Sequence, residues 1–416
     1  MPATVDPSPK LAHLREVAAR RLRVLVITRI FPNAVEPLAA PFNRQQFGAL
    51  GRLCDVEVMA TIPWFPGARL FERSNAGRLG AVPARDVIEG ISVSHPRVAY
   101  VPRWGAGLSG VLEVASLLRD VLPRRGDVDV VLGSWAFPEG AAAVALSRMI
   151  GVPAVIKVHG SDLNLVSTMR GPRANLRLAL PRAARIVAVS RALGDKAVEL
   201  GADPARIAVV ANGTDASLFF VRDRREARRA LGLSSEGRVV LYVGRVERDK
   251  GALDLVEAFA RIAPAEPDLS LVILGQGRAM DEAKSLAAPL GERVRFLGGR
   301  PLAEVPVWMG ASTLVTLPSW AEGSPNVVRE ALACGRPVVA TRVGGVPELL
   351  TSDALGEMVP AKDPAALGRA LASVSKETYD ANVLRAASGG SWDDSARALL
   401  RVLEDARAEG DRARRG

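Results

Sequence analysis

Short apolar runs alternate with amphipathic stretches along almost the whole chain. In the first half the runs cover residues 23–30, 55–61, 91–101, 127–135, 153–160, 185–190 and 206–213. They are rich in β-branched residues and apolar at consecutive positions, as strands covered on both faces must be. Residues 110–122 and 138–150 read as helices between them. The pattern breaks over residues 215–235, where VRDRREARRALGLSSEG is charged and reads as a linker plus a short helix. Strand-like runs resume at 238–245, 269–277, 293–299, 312–319 and 337–345, again separated by helices. This alternation predicts an α/β protein of two doubly wound, Rossmann-like domains. Their expected bounds are 1–215, with 1–22 a basic extension, and 216–390, followed by a C-terminal helix over 391–416. Ligands of such sheets bind beyond the carboxyl ends of the strands, so a cleft between two facing domains is the expected site.

Composition narrows the function classes. The 416 residues are 48% hydrophobic and 24% charged, which suits globular domains rather than disorder. Cys54 and Cys334 lie far apart, and His13, His95 and His159 form no ligand spacing, so neither a disulfide framework nor a zinc site is expected. No run is long enough to span a bilayer, and the N-terminus lacks the apolar core of a secretory signal. A cytoplasmic protein is expected, with no cofactor and no metal. The formal net charge of +10 admits a nucleic acid, an anionic membrane or a phosphorylated small molecule as partner, and equally a genomic bias toward arginine. Aromatic residues make up 5% of the chain and are not interleaved with the basic ones, so no nucleic-acid partner is expected.

Chemistry concentrates at the strand ends. The run from 238 ends in Gly244-Arg245, and Lys250-Gly251 precedes a helix over 252–262. Two cations beside a helix N-terminus suit a diphosphate, though taken alone they also read as solvated surface residues. Gly275-Gln276-Gly277 ends the next run, a weak signal without GxGxxG. The run from 312 leads into PSWAEGSPNVVREALACGRPVVAT, with Glu322 in a loop, Gly323, Ser324 and Pro325 at the entry of a short helix, Asn326 near its start and Glu330 inside it. Two carboxylates flanking a helix N-terminus could hold two sets of sugar hydroxyls around a phosphate.

These residues resemble the retaining GT-B glycosyltransferases of family 4. Glu322 to Glu330 is similar to that family's Glu-x7-Glu signature, and Arg245 and Lys250 to its diphosphate-gripping pair. His159-Gly160-Ser161-Asp162 resembles its HG-x-D loop, and Asn212-Gly213-Thr214-Asp215 with Phe219 its NG-x-D-x3-F segment. Gly298 and Arg300 resemble its turn near the base, and Gly344-Gly345 with Pro347-Glu348 continue the pattern. The matches run in order over 157–350. The resemblance implies a hexosyltransferase using a UDP- or GDP-sugar without metal, with a glycan or lipid-linked hydroxyl as acceptor. It implies that Arg245, Lys250 and Gly244 hold the diphosphate, Glu330 the ribose, and Glu322 the transferred sugar, aided by backbone around Gly323, Ser324, Asn326 and Val327. His159 would lie near the reacting carbon, with Asp162 and Asn212 in support. Retention would proceed by front-face displacement, since no close carboxylate pair of the double-displacement kind is evident.

The first strand's exit, Thr28-Arg29-Ile30-Phe31-Pro32-Asn33, resembles a branch of the family with FPN…P-x2-G-x-F-x3-Q, linked to cell-surface polysaccharide assembly. Ala40 stands where that glycine would be. Basic residues over 10–23 offer weak peripheral contact with an anionic membrane, or simply a solvated extension. The alternative activity is that of a GT-B nucleotide-sugar epimerase. A catalytically dead homologue would have lost polar positions that are all present here.

Overall fold

The computed structural model describes residues 21–68, 75–101 and 106–415. The basic segment over 10–20 lies outside the described residues. The first strands are β1 (Arg23–Thr28), β2 (Asp55–Ala60), β3 (Ile62–Trp64), β4 (Arg85–Ile88), β5 (Ile91–Ser94), β6 (Arg97–Ala99), β7 (Val130–Ser134), β8 (Ala154–Val158), β9 (Arg185–Ala188) and β10 (Ile207–Val209). They build an eight-stranded sheet in the order β10-β9-β8-β7-β1-β2-β5-β4, while β3 and β6 pair separately. β1 runs parallel to both β2 and β7, and β4 closes the edge antiparallel to β5. The second group is β11 (Arg238–Val243), β12 (Leu269–Leu274), β13 (Val294–Gly298), β14 (Leu314–Leu317), β15 (Val338–Thr341) and β16 (Gly356–Val359). It forms a six-stranded parallel sheet ordered β13-β12-β11-β14-β15-β16.

The helices that matter below are α1 (Pro41–Gly51), α2 (Ser109–Val121), α3 (Ala141–Ile150), α4 (Arg191–Glu199), α5 (Ala252–Ile262), α6 (Asn326–Ala333) and α7 (Trp392–Arg415). The expected run over 91–101 is two strands, not one. Pro96 cannot donate to a ladder, so the chain leaves the large sheet at Ser94 and re-pairs through β6 with β3. The helix expected from 138 is α-helical from Ala141, and a π-type turn over Ala136–Gly140, in which Phe137 is extended at φ −149°, leads into it. Strands β3, β4 and β16 are additions: each is short, and β4 has no buried residue.

Of the described residues, those within Met1–Lys157, Ala174–Arg185 and Ala396–Gly416 make one compact unit. Those within Val158–Arg173 and Ile186–Ser395 make the other. In the first unit Leu25 and Ile27 of β1 and Val131 of β7 pack against Leu117 and Val121 of α2 and Ala142, Ala143 and Leu146 of α3. In the second, alternate residues of each strand serve opposite layers. Val240 and Tyr242 of β11 meet Leu255 and Phe259 of α5. Leu241 of the same strand, with Val315 of β14, meets Val328 and Leu332 of α6. Consecutive apolar residues are thus required, each fully buried one contributing about 1.5–3 kcal/mol. Among the described residues no helix is long and apolar enough to cross a membrane.

Candidate functional site

In the six-stranded sheet the chain passes from β11 outward to β12 and β13, then returns to the other side of β11 as β14. That reversal opens a crevice at the carboxyl ends of β11 and β14, where parallel sheets take their ligands. The loop after β11 carries Gly244, Arg245 and Lys250, and the loop after β14 carries Glu322 and Gly323. The two loops meet in an ion pair: Lys250 Nζ lies 2.7 Å from Glu322 Oε1, with side chains 21% and 12% exposed. Both remain reachable from solvent while shielded enough for their charges to act strongly. The Trp320 amide donates to the Asp249 carbonyl, and its indole N–H donates to Asp254 on α5 at 2.7 Å, so the second loop is tied to the first. Lys362 sits 4.4 Å from the Trp320 ring centroid.

Arg245, in the same loop as Lys250, is exposed, and its carbonyl accepts from the buried Tyr242 hydroxyl at 2.6 Å. Gly298, at φ +71°, accepts from the Gly275 amide at 2.8 Å, and Arg300 pairs with Glu304 at 3.8 Å. A Cβ at Gly275 would collide with the Gly244 carbonyl, so the glycine turn after β12 is there for close approach of two backbones.

The loop after β8 belongs to the same compact unit. The buried Asp162 carboxylate accepts from the amides of His159 (3.1 Å) and Gly160 (2.7 Å) and fixes their course. A Cβ at Gly323 would strike the His159 carbonyl, so the His159-Gly160 and Glu322-Gly323 backbones touch. Asn164 donates to the Glu322 carbonyl at 3.3 Å and accepts from Lys196 at 3.0 Å. On the far side the Gly345 amide donates to the Gly323 carbonyl.

Helix α6 starts at Asn326, directly after Ser324 and Pro325, with Val327 in its first turn. Asn212 donates to Asn326 Oδ1 at 2.8 Å. Glu330, one turn further in, is partly buried, and desolvation pushes its carboxyl up to about 7. Among the described residues no group of three or more His, Cys, Asp or Glu side chains is placed to hold a metal ion.

The candidate donor-site residues, from His159 and Asp162 through Asn212 to Glu330, therefore lie in the unit that contains Val158–Arg173 and Ile186–Ser395, whereas the Thr28–Asn33 segment and Ala40 lie in the other. Lys250 meets Glu322, Asn212 meets Asn326, and the His159 loop meets Gly323. Arg300 lies within 3.8 Å of Glu304. Four contributors were not anticipated in these roles: Tyr242, Trp320, Asn164 and Glu348. Glu348 accepts from the Arg191 and Ala192 amides and caps α4. Trp320, Asn164 and Glu348 act over long separations, while Tyr242 reaches only to Arg245 and was signalled in sequence as a lone polar residue within an apolar strand.

Residues 13–218 match the family model "Glycosyltransferase Family 4", and residues 237–377 match "Glycosyl transferases group 1". The chain is 33% identical over 372 residues to D-inositol 3-phosphate glycosyltransferase 1 of Catenulispora acidiphila, covering 83% of this chain and 87% of that protein. It is 29% identical to the putative teichuronic acid biosynthesis glycosyltransferase TuaC of Bacillus subtilis, covering 79% and 83%. Among solved structures, sucrose-phosphate synthase from Thermosynechococcus elongatus superposes with a TM-score of 0.70 at 20% identity, over 94% of this chain and 98% of that one. Anabaena HepE in complex with UDP gives 0.65 at 19%, over 95% and 100%. The fold is that of the GT-B glycosyltransferases, and the relatives named here are glycosyltransferases, not epimerases. With the family models covering both halves and a relative of this identity spanned nearly end to end, the chain belongs to the group 1, family 4 glycosyltransferases.

Proposed function

We propose that this glycosyltransferase moves a hexose-type sugar from a UDP- or GDP-sugar to a hydroxyl of a lipid-linked or polysaccharide-precursor acceptor, with retention and without a metal. The observation that carries the reading is the Lys250–Glu322 pair at the β11/β14 crevice. Lys250, with Arg245 of the same loop, faces the diphosphate and stabilises the charge that grows on it as the glycosidic bond breaks. Glu322 is exchanged from Lys250 to the hydroxyls of the transferred sugar when the donor enters. Glu330 in its carboxylate form accepts from the ribose. The His159 loop, fixed by Asp162, presents its backbone and imidazole to the reacting sugar. Retention follows by front-face attack of the acceptor within the ion pair, so Glu322 acts by binding and not as a covalent nucleophile.

UDP is the donor base we favour, because HepE, which shares the fold, was captured with UDP. A polysaccharide-precursor acceptor is supported by the FPN segment and by the role named for TuaC. Weak docking of the basic segment over 10–23 on anionic lipid belongs to the same reading, and failure to sediment with anionic vesicles at low salt would remove it.

The test is a thermal-shift screen with UDP, GDP, ADP and their sugar conjugates in EDTA, followed by product analysis. One nucleotide should raise the melting temperature in EDTA, and the product should keep the donor's anomeric configuration. Lys250→Ala and Glu322→Ala should each lower turnover by about a hundredfold or more with the fold intact, as for the loss of a transition-state charge partner. Near-normal turnover in either variant would refute the assignment.

A further inference from the structure

The eight-stranded sheet has its own point of reversal. From β1 the chain builds β2 and β5 on one side and β7 to β10 on the other. The crevice this leaves lies at the carboxyl ends of β1 and β7. Arg29 follows β1, and Glu139 lies in the segment after β7. Arg29 Nε reaches Glu139 Oε1 at 2.5 Å. Glu113, projecting from α2, completes the group. These three, with Thr61, Pro63, Tyr100 and others, line a cavity of about 50 Å³.

Glu139 and Glu113 are 0% and 1% exposed. Glu139 Oε2 and Glu113 Oε1 are buried with no hydrogen-bond partner among the described residues. Leaving such atoms unpaired costs about 1–3 kcal/mol each, so they call for a ligand with donors. Burial, and then the neighbouring Glu139 charge, push the Glu113 carboxyl well above the usual range, while Arg29 opposes the shift. Arg29 pairs with Glu139 at the same cavity, so a cation and two carboxyl groups share one wall. An anion would meet Glu139, and a cation would meet Arg29. A neutral hydroxyl suits both orphan oxygens. One water needs about 10–15 Å³ of such space, so the cavity takes a few hydroxyl groups from the edge of a ring.

We propose that Glu113 and Glu139, with Arg29, form a subsite for adjacent hydroxyls of a neutral polyol ring, and so select the acceptor. This rests on the glycosyltransferase reading above and names its acceptor chemistry. It places the acceptor's uncharged edge, and not a phosphate, at the β1/β7 crevice.

The test measures binding of myo-inositol, methyl α-glucopyranoside and methyl α-mannopyranoside to the full chain by saturation-transfer NMR, with and without UDP, and with inorganic phosphate as competitor. At least one ring should bind the wild type and resist phosphate. Glu113→Leu and Glu139→Leu should each weaken it about tenfold, the loss of one buried hydrogen bond. Glu113→Gln, which keeps a donor and an acceptor without charge, should stay within about threefold. Retention of the melting temperature and of the UDP-induced rise reports an intact fold. No ring binding at millimolar concentration, equal binding to all variants, or displacement by phosphate would overturn the proposal. A missing UDP response alone would count against the donor reading and leave this one standing.

Discussion

At the scale of single residues, two positions carry a cost. Ala40 precedes α1 at φ 41°, ψ 57°, the left-handed region. The sequence pattern marked it as an alanine where similar chains have glycine, and the backbone gives the reason: a Cβ there costs about 1 kcal/mol. Ala40→Gly should therefore raise stability, by up to about 1 kcal/mol in urea unfolding. An unchanged midpoint would mean that the loop relaxes freely. Glu330 carries the second cost. Its carboxyl stands at about 7 in the folded protein against about 4.3 when unfolded. The folded state then holds the proton more tightly. Stability is greatest below the unfolded value and falls as pH rises from there to about 7, by an amount on the order of 1–3 kcal/mol. Glu330→Gln should abolish that slope and stabilise the protein at pH 8, while weakening nucleotide binding. The wild type's donor affinity should rise with pH through neutrality, as the carboxylate forms. A flat profile in both measurements would remove Glu330 from the site.

At the scale of elements, most strands were legible because burial on both faces forces consecutive apolar residues, as in Val239 to Val243 of β11. The candidate site stood out for a related reason: the carboxyl ends of parallel strands, where such sheets take ligands, break here into glycine and polar residues, as at Gly244 and Glu322. The pairing of Lys250 with Glu322 was not legible, because it depends on the order of strands in the sheet. The splitting of 91–101 at Pro96 could have been read from the missing N–H donor. The cap on α4 lay out of reach: Glu348 comes from a distant turn and accepts from the first two amides of that helix. Glu348→Ala should cost about 1 kcal/mol, with Glu348→Gln recovering part of it. Equal melting temperatures for all three proteins would show that the cap carries no weight. Gly323→Ala tests a tighter contact, since its methyl must displace the His159 backbone. Loss of activity beyond any loss of stability is expected.

At the scale of the whole molecule, the first unit draws on three separated stretches, and one of them is the end of α7. Ala396, Leu399, Leu403 and Ala406 are fully buried there, and Glu409 pairs with Arg185 through an oxygen at 2.6 Å. The expected C-terminal helix over 391–416 was legible, but not how much of it is core. On the ribosome, this unit begins first and finishes last. Its sheet emerges early, yet the helix that seals it arrives only after every residue of the second unit has been made. Until then the nascent first unit must wait with an apolar groove open, and a chaperone that shields such grooves should engage ribosome-bound chains stalled before residue 392 more than chains extended past 415.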